Sequence, residues 1–167
     1  MNYLKLAAAT ILVSSVASVA SAQDSGVYVN LGINAIEFEA YSLGGKLGYN
    51  INEYLGVEGE ASFGISDDTT DGIETGVDTA FGAYAVARYP VAPNLEVFGR
   101  VGYHTTDVDV SFQNLDDSFS VDGVAFGAGG QYFFTPNDGI RLEYTHRDFD
   151  SDFGNAEIYS VSYVRNF

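Results

Sequence analysis

The charged residues of this chain stand where they could pair with one another. Lys46, Glu58, Glu60, Arg88, Glu96, Arg100, Arg141 and Glu143 each interrupt an apolar stretch at an alternate position, four bases against four acids. Brought to one face, they form ion pairs, and pairing is what keeps a charge tolerable away from water. Stranding one ion of a buried pair costs about 3–5 kcal/mol. A second candidate is acidic. Asp67-Asp68-Thr69-Thr70-Asp71-Gly72, with Asp78 further on, partly follows the calcium-loop pattern D-x-[DN]-x-[DN]-G. Thr69 occupies the third position, the last ligand is Asp78 where glutamate is usual, and the flanks read as strands. Asp67, Asp71 and Asp78 are therefore a weak metal candidate, and a solvated acidic loop is the simpler reading.

His104 and His146, the two histidines, lie near the ends of strand-like segments beside Asp107 and Asp148. Nucleophilic catalysis needs a nucleophile, a base and a group that orients the base. No serine or acid stands at a recognisable spacing for this, so the histidines read as polar residues at loop edges and no catalytic residue is expected. Gly127-Ala128-Gly129-Gly130 lies inside an alternating stretch with no helix after it, which argues against a phosphate loop. No cofactor is expected.

The elements that must position these residues are strands. Val27, Val29, Leu31 and Ile33 alternate with Tyr28, Asn30, Gly32 and Asn34; Leu55, Val57, Gly59, Ala61 and Phe63 alternate with Gly56, Glu58, Glu60 and Ser62; Phe81 to Tyr89 does the same. This is the period-2 signature. Three short turns divide the chain at Asn50–Glu53, Val91–Asn94 and Thr135–Asp138, each after an aromatic residue and each before a similar strand. Longer polar segments lie between them, roughly 35–41, 66–76, 106–118 and 148–155. Three short connections alternating with four long ones join eight antiparallel strands. A barrel in the outer membrane keeps its short turns at one end and its long loops at the other.

The beginning of the chain reads differently. Residues 1–22 carry one charge, Lys5, then a short apolar stretch from Leu6 to Val19 and an Ala20-Ser21-Ala22 processing site. This predicts a cleaved signal peptide, with the barrel domain at 23–167. The mature chain then holds six Lys/Arg against 23 Asp/Glu and no cysteine. So acidic a surface repels nucleic acid. The chain must also hold together without disulfides.

The charged set decides which face meets lipid. All eight residues fall on one parity of the strands, whereas the other carries Leu, Val, Ile, Ala, Gly, Phe and Tyr. A Lys or Arg facing the bilayer midplane costs roughly 2–4 kcal/mol. The charged parity is therefore expected inside, as a balanced salt-bridge network that plugs the lumen. Gly44, Gly48, Gly82, Gly102, Gly127 and Gly129 leave room for it. Period alone also permits a soluble periplasmic ligand-binding barrel with its faces reversed. Tyr49, Tyr89, Tyr132, Tyr163 and Phe167 at one height, with Phe63, Phe81, Tyr103, Phe126 and Tyr144 at another, favour the membrane arrangement.

The terminal strand Tyr159–Phe167, with Leu43-Gly44-Gly45-Lys46-Leu47-Gly48-Tyr49-Asn50 and Leu55-Gly56-Val57-Glu58-Gly59-Glu60, resembles the outer-membrane β-barrels of the outer-membrane protein A and X type, also called the porin family. The resemblance spans residues 26–167. It implies an eight-stranded antiparallel up-and-down transmembrane β-barrel in the outer membrane of a Gram-negative bacterium. It also implies a C-terminal signal, Tyr163 and Phe167, read by the barrel assembly machinery. The implied partners are outer-membrane lipid, lipopolysaccharide and an extracellular ligand met by the loops. The implied role is structural or surface interaction, with a small porin-like channel as the alternative. Arg165 departs from the family, which places an apolar residue there. It either reaches the headgroups or is turned inward by a bulge.

Overall fold

The computed structural model describes residues 26–37, 40–65, 68–70, 73–112, 115–149 and 154–167, with backbone alone at 68–70, 73–78, 108–112 and 115–119. Nine strands form: β1 Val27–Ile36, β2 Ala40–Asn50, β3 Leu55–Gly64, β4 Asp68–Thr70, β5 Ile73–Ala92, β6 Leu95–Phe112, β7 Leu115–Phe133, β8 Asp138–Phe149 and β9 Asn155–Asn166. Eight of them close into a barrel in the order β3-β2-β1-β9-β8-β7-β6-β5, with β3 pairing β5. The three-residue β4 pairs only with the far end of β5. Every pairing is antiparallel, and the first and last barrel strands meet from Tyr28 opposite Asn166 to Ile36 opposite Ile158.

The three tight turns gather at one end of the barrel. In the first, Asn52 Oδ1 accepts from the amides of Tyr54 and Leu55, both at 2.8 Å. In the third, Thr135 Oγ1 accepts from the amides of Asn137 and Asp138 and donates to Asp138 Oδ2. Both are the local side-chain brackets that Asn and Thr offer a turn. The two described ends of the chain lie here as well. Asn50 donates to the carbonyl of Gly26, and Phe167 donates to that of Val27.

At the other end the long segments differ from expectation. They are mostly hairpins rather than loops. β5 and β6 pair up to Glu74 opposite Ser111, and β6 and β7 pair up to Phe112 opposite Leu115. The first connection is short, since β1 runs to Ile36 and β2 begins at Ala40. Thr105, Thr106, Val108, Val110 and Val121 explain the extension: β-branched residues hold a strand even where acids intervene. A bulge at Asp78 shifts the β5 register there.

The faces are inverted relative to a soluble protein. Leu47, Val57, Val101, Leu142 and Val161 point outward and are about half exposed, between 47% and 57%. Lys46, Glu58, Glu60, Arg100, Arg141 and Glu143 point inward and are buried. An apolar belt this continuous has to meet something other than water. Among the described residues no helix is long and apolar enough to cross a membrane. A barrel crosses with strands, which need about 9–11 residues each. This arrangement removes the soluble, face-reversed alternative.

Candidate functional site

The lumen at mid-height is filled by a cluster of ion pairs. Lys46 comes from β2, Glu58 and Glu60 from β3, Arg100 from β6, and Arg141, Glu143 and Arg147 from β8. Each is there because its strand alternates and it falls on the inward parity. Arg141 Nη1 lies 2.5 Å from Glu58 Oε1, and its Nη2 lies 2.6 Å from Glu143 Oε2. Arg100 Nη1 lies 2.7 Å from Glu60 Oε2, and its Nη2 lies 2.6 Å from Glu143 Oε1. Lys46 Nζ meets Glu143 Oε1 at 2.6 Å and Arg147 Nη2 meets Glu60 Oε1 at 2.8 Å. β3 and β8 are four places apart in a ring of eight, so the Glu58–Arg141 pair crosses the full width of the barrel.

Aromatic rings back the guanidinium groups. Arg141 lies 3.8 Å from the centre of the Phe98 ring, Arg100 lies 4.0 Å from Tyr84 and Arg88 lies 4.8 Å from Tyr28. Each such contact contributes about 0.5–2 kcal/mol and takes the face of the cation that no carboxylate occupies. Three of the inward glycines make room for these rings. A Cβ on Gly48 would strike the Tyr28 ring, one on Gly82 would come within 2.6 Å of Tyr84, and one on Gly129 within 2.7 Å of Phe98.

The eight residues singled out from the sequence divide into two groups. Lys46, Glu58, Glu60, Arg100, Arg141 and Glu143 meet at mid-height. Arg88 and Glu96 lie nearer the turns and join no carboxylate–cation pair within 4 Å among the described residues. Arg88 donates to the Tyr28 hydroxyl at 2.8 Å, which in turn donates to Glu58 Oε1 at 2.7 Å. Glu96 accepts from Gln131 Nε2 at 2.6 Å. Arg147 takes the place that balance assigned to Arg88, so the central cluster holds four bases and three acids. Arg147 lies on the same parity as Arg141 and Glu143, one residue before the polar segment. Thr145, which donates to Glu143 Oε1 and accepts from Arg100, was on that parity too.

Other expectations resolve individually. His104 is interior rather than at a loop edge: it is buried, edge-on to the Phe149 ring with centres 5.0 Å apart. Gly82 and Gly123 flank it in the register. His146 points outward against Phe126 at 4.9 Å. Asp67 and Asp71 of the calcium-like loop lie outside the described residues, as does the Asp78 side chain, and so do residues 1–25. Among the described residues no group of three metal-ligating side chains assembles. Arg165 needs no bulge. The register through it is regular, and it points outward to Asp138 Oδ1 at 3.0 Å. Asp138 also accepts from the Tyr163 hydroxyl. The Tyr163 and Thr135 hydroxyls hold its carboxyl below the ordinary carboxylate range.

Comparison with known proteins agrees with this geometry. The family described as outer membrane protein beta-barrel domain matches residues 6–167. A 22 kDa outer membrane protein of Rhizobium leguminosarum bv. viciae is 32% identical over 148 residues, 86% of this chain and 68% of that one. Among solved structures, Ail, the attachment invasion locus protein of Yersinia pestis, superposes with a TM-score of 0.67 at 16% identity, over 87% of this chain and 100% of that one. A second structure of that protein holds the heparin analogue sucrose octasulfate. Neisserial surface protein A gives a TM-score of 0.67 at 17% identity, over 86% and 98% of the two chains. At these identities the structures establish the shared barrel fold.

Proposed function

Because this chain belongs to the outer-membrane β-barrel family, we propose that it serves as a pedestal in the bacterial outer membrane, displaying its long hairpins to macromolecules outside the cell. The tight turns and both chain ends then face the periplasm. The signal at 1–22 is removed before insertion, and the assembly machinery reads Tyr163 and Phe167 at the end of β9. The apolar belt meets lipid and lipopolysaccharide. The barrel is no conduit, because the Glu58–Arg141 pair and its neighbours occupy the lumen.

One observation carries the interaction role: the outer rim is uneven. β7 pairs with β8 only from Gly123 downward, so residues 115–122 pair with β6 alone among the described residues. An open strand edge held above the membrane offers backbone donors and acceptors to an added strand. Charge narrows the partner. The Yersinia protein was solved with a polyanion, but this chain carries 23 acids against 7 bases, so a polyanion is repelled and a basic partner is attracted.

The absence of cysteine makes the test direct. A membrane-impermeant maleimide should label Ser118→Cys on intact cells and spare Asn52→Cys until the cells are opened. The reverse pattern would invert the protein and end this reading. Refolded protein should pass no steady current in a planar bilayer; a steady current would favour the porin-like alternative.

A further inference from the structure

Arg88 differs from every other interior cation. Lys46, Arg100, Arg141 and Arg147 each touch a carboxylate within 2.8 Å. Arg88 is only 8% exposed, yet among the described residues the one hydrogen bond of its guanidinium goes to a phenol; its Nε, like those of Arg100 and Arg147, has no partner. It borders a cavity of about 390 Å³ at the turn end, with Asn50, Pro90, Glu96 and Asn166 on the same walls. Asn50 Oδ1 is likewise buried without a partner. The space in front of both is kept clear by Gly56, where a Cβ would stand 3.3 Å from Arg88 Nη2 and 3.4 Å from Asn50 Oδ1. Glu96 uses one carboxylate oxygen on Gln131. Its other oxygen has no partner among the described residues.

We infer that this vestibule is a binding site for a small zwitterion, the class of a free amino acid or an unblocked short peptide. A guanidinium fork matches a carboxylate in bidentate geometry, and burying it without a counter-ion is costly, so a ligand carboxylate completes Arg88. Glu96 on the same cavity takes the ammonium group. Asn50 Oδ1 accepts a peptide or ammonium N–H. The volume is near the lower end for small-molecule pockets, which suits a dipeptide. The Arg88–Tyr28–Glu58 chain of hydrogen bonds closes the inner side, so the ligand docks and does not pass through. Placing the site in the periplasm rests on the orientation proposed above; the ligand chemistry does not.

The test is calorimetric titration of the folded protein, residues 23–167 in detergent micelles, with alanylalanine. Binding in the millimolar range is expected, weakened about tenfold by Arg88→Gln and by Glu96→Gln, the worth of one charge-assisted contact. Arg88→Lys should fall between, since it keeps the charge and loses the fork. Each variant is first shown to be folded by its shift in gel mobility on boiling. N-acetyl-alanylalanine amide, which has neither charge, should not bind. No heat at tens of millimolar alanylalanine, equal binding of the blocked peptide, or binding unaffected by Arg88→Gln would each overturn the inference. Any of these failures leaves the maleimide pattern untouched, so the two readings fall separately.

Discussion

At mid-height the barrel wall separates two surfaces by the thickness of one strand, and β3 shows both. Glu58 and Glu60 face inward, 3% and 7% exposed, and are held by Arg141, Arg100 and Arg147. Val57, their neighbour, faces outward and is 47% exposed. In a soluble protein the valine would be inside and the glutamates outside. The inversion shows how differently the two faces are specified. The outer face needs only to be apolar at each position, because lipid adapts its shape to whatever it meets. The inner face needs particular partners at particular distances, because each charge there depends on named neighbours. Substitutions should therefore be judged by partner on the inside and by polarity on the outside.

The largest effect is expected from breaking a pair inside. Arg141→Leu removes a partner from both Glu58 and Glu143 and should cost about 3–5 kcal/mol in urea unfolding from lipid vesicles. The double change Arg141→Leu with Glu58→Leu should cost less than the sum of the two singles, because it no longer strands a charge. Strict additivity would mean that the pair contributes nothing as a pair. On the outer face the damage should follow polarity instead. Val161→Arg places a charge against lipid and should cost roughly 2–4 kcal/mol, whereas Val161→Leu should be almost silent. If the leucine variant proved as harmful as the arginine one, the outer face would be specified by shape and the contrast would fail.

A smaller effect tests the fit of the aromatic backing. Gly48→Ala puts a methyl group into the Tyr28 ring and should cost about 1–3 kcal/mol, while Gly59→Ala on the outward parity meets nothing closer than 4.0 Å and should be tolerated. Equal unfolding midpoints for the two variants would remove the distinction. The smallest effect lies at the turn-end rim, where Asp138 is half-buried. Its carboxyl is held below the ordinary range, so the protonated unfolded chain binds the proton more readily. The stabilisation is present above the ordinary carboxylate range and is lost as pH falls through the depressed folded value. The gap in unfolding midpoint between the wild-type protein and Asp138→Asn should narrow from about pH 7 to about pH 2, in keeping with carboxylate titration. A constant gap would show that Tyr163, Thr135 and Arg165 do not act through the charge.

Much of the interior was legible because a strand has only two faces. Once Glu58 and Glu60 point inward, parity carries the rest of β3 with them, and Lys46, Arg100, Arg141 and Glu143 follow on their own strands. The same rule would have placed Arg147 and His104, but both border segments rich in Asp and Thr that read as loop. The structure continues these as paired strands, as the facing of Val108 by Phe119 shows. Where a hairpin stops depends on whether a second strand stays alongside, and a single segment does not contain that information. The sequence suggests space for long charged side chains at the glycines; Gly127 does lie against Arg100 and Thr145, but Gly48, Gly82 and Gly129 face Tyr28, Tyr84 and Phe98, a distinction that needs the neighbouring strand's register.

The period, the two faces and the positions of the tight turns are all written in the amino-acid order, and they imply an eight-stranded barrel with charge inside. These are local properties, repeated every second residue and punctuated by turns. Who pairs with whom is set by the closed barrel. Closing the sheet between β3 and β5 and between β1 and β9 sets β3 opposite β8, which brings Glu58 to Arg141 across 83 positions of chain. The same closure leaves Arg88, of identical parity and chemistry, at the turn end with a phenol and a cavity for company. The stagger around a ring is a property of all the strands together, so no strand read alone could separate the arginine that is satisfied from the one that is not.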